Sequence, residues 1–335
     1  MRSVIVTGGA GYIGAHACKA LAIAGWRPVA YDNLSIGRRE FVKWGPLIEA
    51  DTRDPISMER AIREYDAVAV MHFAALSSVA ESQENPALYY DNNVRGLLGV
   101  LEGIRSAGRS RIVFSSTASV YGQPDGGAIN EDTPTAPINT YGHTKLMCER
   151  LLADYARSYG LKYVSLRYFN ACGADSEAEI GEQREVETHL IPRAMMSLQG
   201  HLESFQVFGN DFQTRDGTAI RDYVHVSDLA DAHVAALERL EQGRQSGIFN
   251  LGSGHGHSVA EVLKAISATT GRSFVAPSGQ RRPGDPSELV ASIERARSEL
   301  GFDPVRSTLP NIVETAWRWH QQAHPARVTR AGALA

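Results

Sequence analysis

The chain has 335 residues, 43% of them hydrophobic, and a formal net charge of −4. That is ample for a large core, in one big domain or two joined ones. No long basic run appears, which disfavours nucleic acid as a partner. The longest apolar run, Ala67 to Leu76 broken by His72, is too short to span a bilayer. The N-terminus goes directly into a strand, with no leader-like charged and apolar segments before it. Cys18, Cys148 and Cys172 are an odd, scattered set that makes neither a disulfide framework nor a metal site, so a reducing cytoplasm fits best.

Within Arg2 to Thr7, Val4, Ile5 and Val6 run consecutively, as in a short buried parallel strand. Thr7-Gly8-Gly9-Ala10-Gly11-Tyr12-Ile13-Gly14 follows and opens a helix through about Ala24. Gly8 permits the tight turn, Gly11 a backbone approach to phosphate, and Gly14 close packing of helix on strand. The helix N-terminus offers free N–H groups and the positive end of its dipole to a pyrophosphate. Arg27 to Tyr31 reads as a second strand ending in Asp32. An acid there is placed to bind both hydroxyls of an adenosine ribose and to repel a 2′-phosphate, so NAD is favoured over NADP.

Leu47 to Ala50 reads as a third strand, closed by Asp51, and Ala67 to Phe73 as a fourth. Ala74 and Ala75 come next, small enough for the backbone to approach a flat cofactor. A long helix covers roughly Pro86 to Ala107, with Tyr90, Asp91, Asn92 and Asn93 polar within it. Arg111 to Ser115 is a fifth strand, running into Ser116, Thr117 and Ser119, hydroxyls at the strand end where such sheets bind ligands. A helix from Tyr141 to about Tyr159 and a strand from Lys162 to Tyr168 continue the alternation. The fold class is therefore α/β, a doubly wound parallel Rossmann sheet. Beyond Asn170 the rhythm changes. Ala174 to Val186 is polar and acidic and reads as a surface loop. Loops, short strands and helices follow, including Ser227 to Glu241 and Ser258 to Thr270, as in a smaller α/β domain closing over the cofactor. The expected division is 1–170 for nucleotide binding, with 222–250 a candidate for return to it, and 171–335 for substrate, ending in a frayed tail from Ala323.

Tyr141 and Lys145, four apart, share one helix face. A free phenol has a pKa of about 10, and a neighbouring cation lowers it by favouring the phenolate. The pair can therefore move protons near pH 7.

With Gly8, Gly11, Gly14, Asp32, Thr117, Tyr141 and Lys145 in this order, the chain resembles the extended short-chain dehydrogenase/reductase family. It is more similar still to the UDP-glucose (UDP-galactose) 4-epimerases within it, over about Ser3 to His320. Tyr31-Asp32-Asn33-Leu34, Tyr89-Tyr90-Asp91-Asn92-Asn93-Val94, Leu166-Arg167-Tyr168-Phe169-Asn170, Val207-Phe208-Gly209-Asn210-Asp211, Arg221-Asp222-Tyr223-Val224-His225-Val226 and Asn250-Leu251-Gly252 carry the likeness. The resemblance implies a tightly held NAD, reduced and reoxidised within one turnover. Tyr12, Ile13 and Asn33 then join the glycine turn and Asp32 around the cofactor, with Asp51 and Thr52 at the adenine. Phe73, Ala74, Ala75, Asn93, Ser115, Lys145 and Tyr168 surround the ribose and nicotinamide.

The nucleotide half of a UDP-sugar is implied to meet Asn170, His189, Leu190, Phe208, Arg221, Tyr223, Arg282 and Asp285. Guanidinium groups suit a diphosphate because they bind it bidentately, and Arg221 and Arg282 supply them. Leu289, four residues past Asp285 of Arg281-Arg282-Pro283-Gly284-Asp285, falls where a residue gating sugar size is found. The implied activity is 4-epimerisation of a UDP-hexose through a transient 4-keto sugar, with Tyr141 as base and Thr117 bonding the same oxygen. UDP-arabinose, UDP-xylose and N-acetylated sugars stay open as substrates, and a homodimer is implied. Thr117 replaces the usual Ser, Ser77 stands where some relatives have Lys, and His189 where some have Asn. Ala118 and Ser119 occupy places that carry acids in 4,6-dehydratases and in UDP-glucuronate decarboxylases, and neither residue can act as acid or base. A non-catalytic NAD-binding sensor usually lacks the Tyr–Lys pair, and a metal hydrolase has no supporting ligand cluster.

Overall fold

The computed structural model describes residues 1–124, 126–202, 204–273, 276–282 and 285–324. Pro283 and Gly284 of the expected diphosphate segment, and nearly all of the expected frayed tail, lie outside the described residues.

In chain order the strands are β1 Ser3–Thr7, β2 Arg27–Asp32, β3 Leu47–Glu49, β4 Ala69–His72, β5 Arg111–Thr117, β6 Lys162–Tyr168, β7 Asn170–Cys172, β8 Val207–Phe208, β9 Ile220–His225, β10 Gly247–Leu251, β11 Gly256–Ser258, β12 Ser278–Gly279 and β13 Glu288–Leu289. Seven of them form one parallel sheet in the order β10-β6-β5-β4-β1-β2-β3. Strand order reverses between β1 and β4, and ligands bind in the crevice beyond the carboxyl ends at such a point.

The run Val4-Ile5-Val6 is apolar throughout because both faces of the sheet are covered. Val4 and Val6 pack with Leu21, Leu229 and Leu237, from the helices Tyr12–Ile23 and Val226–Glu241. Ile5 packs on the other side with Met58, Ile62, Leu97 and Leu101, from the helices Pro55–Glu64 and Gly96–Ser106. All three strand residues are fully buried, each contributing about 1.5–3 kcal/mol.

The chain crosses between sheets within residues 220–251. β9 pairs with β7, β11 and β13 in a smaller sheet, whereas β10 adds to the edge of the large one beside β6. β8 and β12 form a separate two-stranded pair.

Two expectations change. The helix expected over Pro86 to Ala107 is interrupted: a π-helical turn, Tyr90–Arg95, separates Pro86–Tyr89 from Gly96–Ser106. A π turn widens the helix by one residue without changing its polarity pattern, so the spacing of apolar residues does not reveal it. The stretch Ala174 to Val186 is not a plain surface loop. Ala174, Asp175, Ala178, Ile180 and Glu182 are buried, and Lys19 pairs with Asp175 and Glu179. Its buried charges, Asp175 and Glu182, are paired, and paired charges can be buried. No helix among the described residues is long and apolar enough to cross a membrane.

Candidate active site

At the end of β1, Gly8 has φ +71°, and a Cβ added to Gly14 would lie 2.1 Å from the Gly8 carbonyl oxygen. Only bare backbone lets the helix Tyr12–Ile23 begin this close to the strand. Gly11 donates its N–H to the Gly8 carbonyl at 3.0 Å, and no side chain caps the helix there. The first-turn amides around Tyr12 and Ile13 are thus available to an anion. The Tyr12 hydroxyl donates to the Gly173 carbonyl at 2.6 Å, tying this turn to the loop beyond β7.

Asp32, buried at the end of β2, accepts N–H bonds from Ala10 at 3.0 Å and Leu34 at 2.9 Å. Burial raises its pKa against those two bonds. Arg38 and Arg39 are spent elsewhere, on Gln183 and Glu40 and on Glu49 respectively. Asp51 is held by Arg53 and Asn33, and its hydrogen bonds with Arg53 keep it well below the usual carboxylate range. Thr52 packs against Gly96, and Ala74 against Gly8. The Phe73 ring lies 4.5 Å from that of His233, and Ala75 follows, partly buried. An uncapped helix, a turn with no room for side chains and a buried acid fit a dinucleotide.

Thr117 ends β5, and the helix Thr140–Tyr159 starts beside it. The Asn139 side chain caps that helix by accepting the Gly142 N–H at 2.8 Å. A Cβ on Gly142 would sit 2.6 Å from the Ser119 carbonyl oxygen, so glycine lets the first turn press onto the loop after Thr117. Tyr141 is 9% exposed, and Thr117 offsets part of the rise that burial imposes on its phenol pKa. Lys145, one turn on and buried, donates from Nζ to the Ser115 carbonyl at 2.8 Å. The Ser115 hydroxyl in turn meets that of Tyr168.

The expectation that Lys145 depresses the Tyr141 pKa is not met in this arrangement. Burial pushes Tyr141 up to about 12 and Lys145 down to about 8, because it disfavours both charged forms. The cation that does favour the Tyr141 phenolate is Arg184.

Asn93 lies in the π turn with both amide donors engaged, one on the Leu76 carbonyl at 3.0 Å and one on Thr144 Oγ1 at 3.1 Å. Its Oδ1 accepts the Leu76 N–H at 2.8 Å. It clamps the segment after β4 to the Tyr141 helix instead of presenting a free amide.

Of the residues expected at a nucleotide sugar, Asn170, Arg221, Tyr223, Asp285 and Leu289 gather around β9, and Leu190 packs in the cluster that holds Tyr223. Asn170 and Tyr223 are register partners, and the Asn170 amide donates to the Asp222 carbonyl at 2.9 Å. Leu289 is the register partner of Arg221. Arg221 bonds Asp285 and donates to the Pro286 carbonyl at 2.8 Å. Arg282 sits 4.3 Å over the half-exposed ring of Phe208. His189 and Leu190 begin the helix Leu190–Leu198. His189 Nδ1 lies 2.6 Å from Glu182 Oε1, and that carboxylate raises the His189 pKa.

Sequence reading missed Glu182, Arg184 and Glu187. Arg184 Nε donates to Glu182 Oε1 at 2.9 Å and Nη1 to Ser77 Oγ at 3.4 Å. The only signal for them in the sequence was an unusual density of charge in Glu182-Gln183-Arg184-Glu185-Val186-Glu187.

The chain belongs to the NAD dependent epimerase/dehydratase family, whose model matches residues 4–252. It is 49% identical over 320 residues to the UDP-glucose 4-epimerase of Rhizobium meliloti (strain 1021), covering 96% of this chain and 97% of that one. Among solved structures it is similar to UDP-glucose 4-epimerase from Brucella ovis in complex with NAD, at 47% identity and a TM-score of 0.93, over 95% of this chain and 98% of that one. It is also similar to the enzyme from Stenotrophomonas maltophila with bound NAD and formylated UDP-arabinopyranose, at 40% identity and a TM-score of 0.94, over 96% and 99%.

Proposed function

We propose that this chain catalyses the NAD-dependent 4-epimerisation of a UDP-hexose, interconverting UDP-glucose and UDP-galactose. The observation that carries the reading is the buried pair Tyr141 and Lys145, one turn apart on the helix Thr140–Tyr159, with Lys145 Nζ on the Ser115 carbonyl of β5 at 2.8 Å. The names of the relatives support it. NAD, when bound, supplies at its nicotinamide the acceptor for the hydride from sugar C4 and the donor that returns it. Tyr141 takes the proton from the sugar 4-hydroxyl and later gives it back, while Thr117 hydrogen-bonds the same oxygen. Proton and hydride both leave and both return, so the reaction has no net oxidation.

Lys145 spends one donor on Ser115 and keeps two for ribose hydroxyls. Asp32 receives the adenosine ribose, and Arg38 and Arg39, engaged elsewhere, do not offer themselves to a 2′-phosphate. Arg221, Arg282 and the aromatic face of Phe208 hold the UDP. Binding through UDP leaves the 4-keto sugar free to rotate and present its other face. The same reading includes a homodimer in a reducing cytoplasm, serving galactose metabolism.

The test is incubation of purified protein with UDP-galactose, UDP-glucose, UDP-arabinose and UDP-N-acetylgalactosamine, without added NAD. Interconversion of the first two is expected, with NAD released into the supernatant on denaturation. A stoichiometric need for added NAD, with NADH accumulating, would make the protein a net dehydrogenase.

A further inference from the structure

We propose that residues 173–184 form a strap across the cofactor crevice, and that Lys19 is the positioning residue that holds this strap shut and so retains the dinucleotide. The inference rests on NAD lying at the carboxyl ends of β1 and β2, where the uncapped turn and Asp32 fit it.

The strap begins where β7 ends. The Gly173 carbonyl accepts the Tyr12 hydroxyl at 2.6 Å, from the first residue of the helix Tyr12–Ile23. Farther along that helix, Lys19 Nζ donates to Asp175 Oδ1 at 2.7 Å, Glu179 Oε2 at 2.6 Å and Glu177 Oε2 at 3.3 Å. Beyond β2, Lys43 Nζ donates to the Glu179 carbonyl at 2.8 Å, and Arg38 Nε to the Gln183 carbonyl at 3.4 Å. Beyond β4, Ser77 Oγ accepts from Arg184 Nη1 at 3.4 Å. The segment therefore meets the connections that follow β1, β2 and β4. These border the crevice at the point where strand order reverses. A dinucleotide seated there is covered, and it leaves only when the strap lifts.

The first half of the strap is shaped around one carboxylate. Asp175 is buried, and its Oδ2 accepts the N–H groups of Glu177 at 3.0 Å and Glu179 at 3.3 Å. Ala174 bridges to Gly181, which closes the loop on itself. A Cβ on Gly181 would lie 2.3 Å from the Trp319 ring, so bare backbone lets the strap lie flat on that indole. Ala174, Ile180 and Trp319 make a small apolar cluster with Ala15 and Phe41. Lys19 brings the countercharge to Asp175, and its own side chain is 17% exposed. Without that ammonium Asp175 is a buried charge that has lost its partner, and such a charge is driven toward water. Water reaches it with the strap raised, so losing Lys19 favours the open crevice.

The experiment follows exchange of bound NAD. Purified holoenzyme is incubated with isotopically labelled NAD, free nucleotide is removed by gel filtration at intervals, and the labelled fraction gives the release rate. Lys19→Gln should release NAD about tenfold faster than the wild type, the factor that one hydrogen bond to a charged group is worth. Lys19→Arg keeps the charge and should restore most of the retention. Glu179→Gln weakens the same anchor from the strap side and should also speed release. Arg239→Gln breaks an ion pair with Glu299 beside β10, at the opposite edge of the sheet from β3, and should leave release unchanged. Unchanged release in Lys19→Gln overturns the proposal. Should that variant not fold, unchanged release in Glu179→Gln does so. Equal acceleration in Arg239→Gln or in Lys19→Arg also overturns it, since the effect would then be general loosening or side-chain shape. A wild type that carries no dinucleotide overturns the cofactor reading instead, whatever the variants do.

Discussion

Tyr141 carries one hydroxyl, whose pKa Thr117 lowers against burial. Tyr141→Phe keeps the ring and removes only the proton-carrying oxygen. Turnover should fall by roughly 10²–10⁴, the usual worth of general-base catalysis, while NAD still copurifies. Steady-state assay with UDP-galactose and chromatography of the denatured supernatant read the two effects separately, and near-normal turnover removes Tyr141 from the mechanism. Leu289 raises a question of size. It is held in register with Arg221 and packs in part against the large core cluster, so its side chain has a structural neighbour as well as a proposed ligand. An apolar wall discriminates weakly, by about 1–3 kcal/mol per methylene-sized mismatch. UDP-galactose should therefore be preferred over UDP-N-acetylgalactosamine by only some tens-fold. Leu289→Tyr should widen that gap and Leu289→Ser should narrow it. The kcat/KM ratio for the two sugars decides, and unchanged ratios would leave Leu289 as core packing alone.

The helix Thr140–Tyr159 carries Tyr141 and Lys145 in its first two turns and its anchor in the third. Glu149 follows Lys145 by four residues, so it lies on the same face. There it accepts from Arg167 Nε at 2.9 Å and Nη2 at 2.6 Å, and from the Ser116 hydroxyl. Arg167 Nη1 donates to Tyr121, whose hydroxyl donates to Asn250 Oδ1 at 2.7 Å. Helix, β5, β6 and β10 are thus joined by one buried network. Both charges of the pair are almost wholly buried, at 4% and 5% side-chain exposure. Removing one partner strands the other, at a cost of about 3–5 kcal/mol. Urea unfolding of Glu149→Ala should show that loss, with Glu149→Gln losing less because it keeps an acceptor for Arg167. Equal stability in Glu149→Ala would mean that water reaches the site and solvates Arg167. At this scale the regular elements were legible. β6 runs over Lys162–Tyr168 as read, because Tyr163, Val164, Leu166 and Tyr168 favour a strand and Gly160 ends the helix just before it. The Tyr141 helix shows its ends in Asn139 and Gly160, a capping side chain and a left-handed C-cap. The π turn at Asn93 and the inward fold of Glu182 to Glu187 were not legible, since both depend on partners distant in sequence.

The whole molecule joins two sheets through a chain that crosses between them at β9 and β10. The parallel sheet was legible because strand and helix alternate and because glycine, Gly8 above all, is demanded by backbone geometry at fixed places. The entry of β10 beside β6 was harder to read, since strand order is a long-range property and Gly247–Leu251 looks like any short apolar strand. The same packing leaves five histidines almost wholly buried: His16, His72, His225, His233 and His320. Burial lowers their pKa values to about 4, 3, 3, 4 and 4 respectively, against 6.5 in an unfolded chain. Below pH 6.5 the unfolded chain takes up these protons and the folded one does not until about pH 4. Stability must therefore fall as pH drops through that window and rise as pH climbs through it, by about 1.4 kcal/mol per pH unit for each group fully in play. Asp32, Asp222, Asp228 and Glu187 act the other way, because burial raises their carboxyl pKa values, and so does His189, whose pKa the Glu182 carboxylate raises. The five buried histidines pull against these groups, and about 7 kcal/mol per unit is the upper limit if all five act without opposition. Against a total stability of about 5–15 kcal/mol, the protein should unfold in acid while still above pH 4. Urea denaturation at half-unit steps from pH 7 to 5 measures the slope, and a flat profile would show that these histidines are solvated. The His233 ring bonds only the Leu229 carbonyl through Nδ1, and its other nitrogen is buried without a partner, so His233→Gln should flatten the slope by close to one proton.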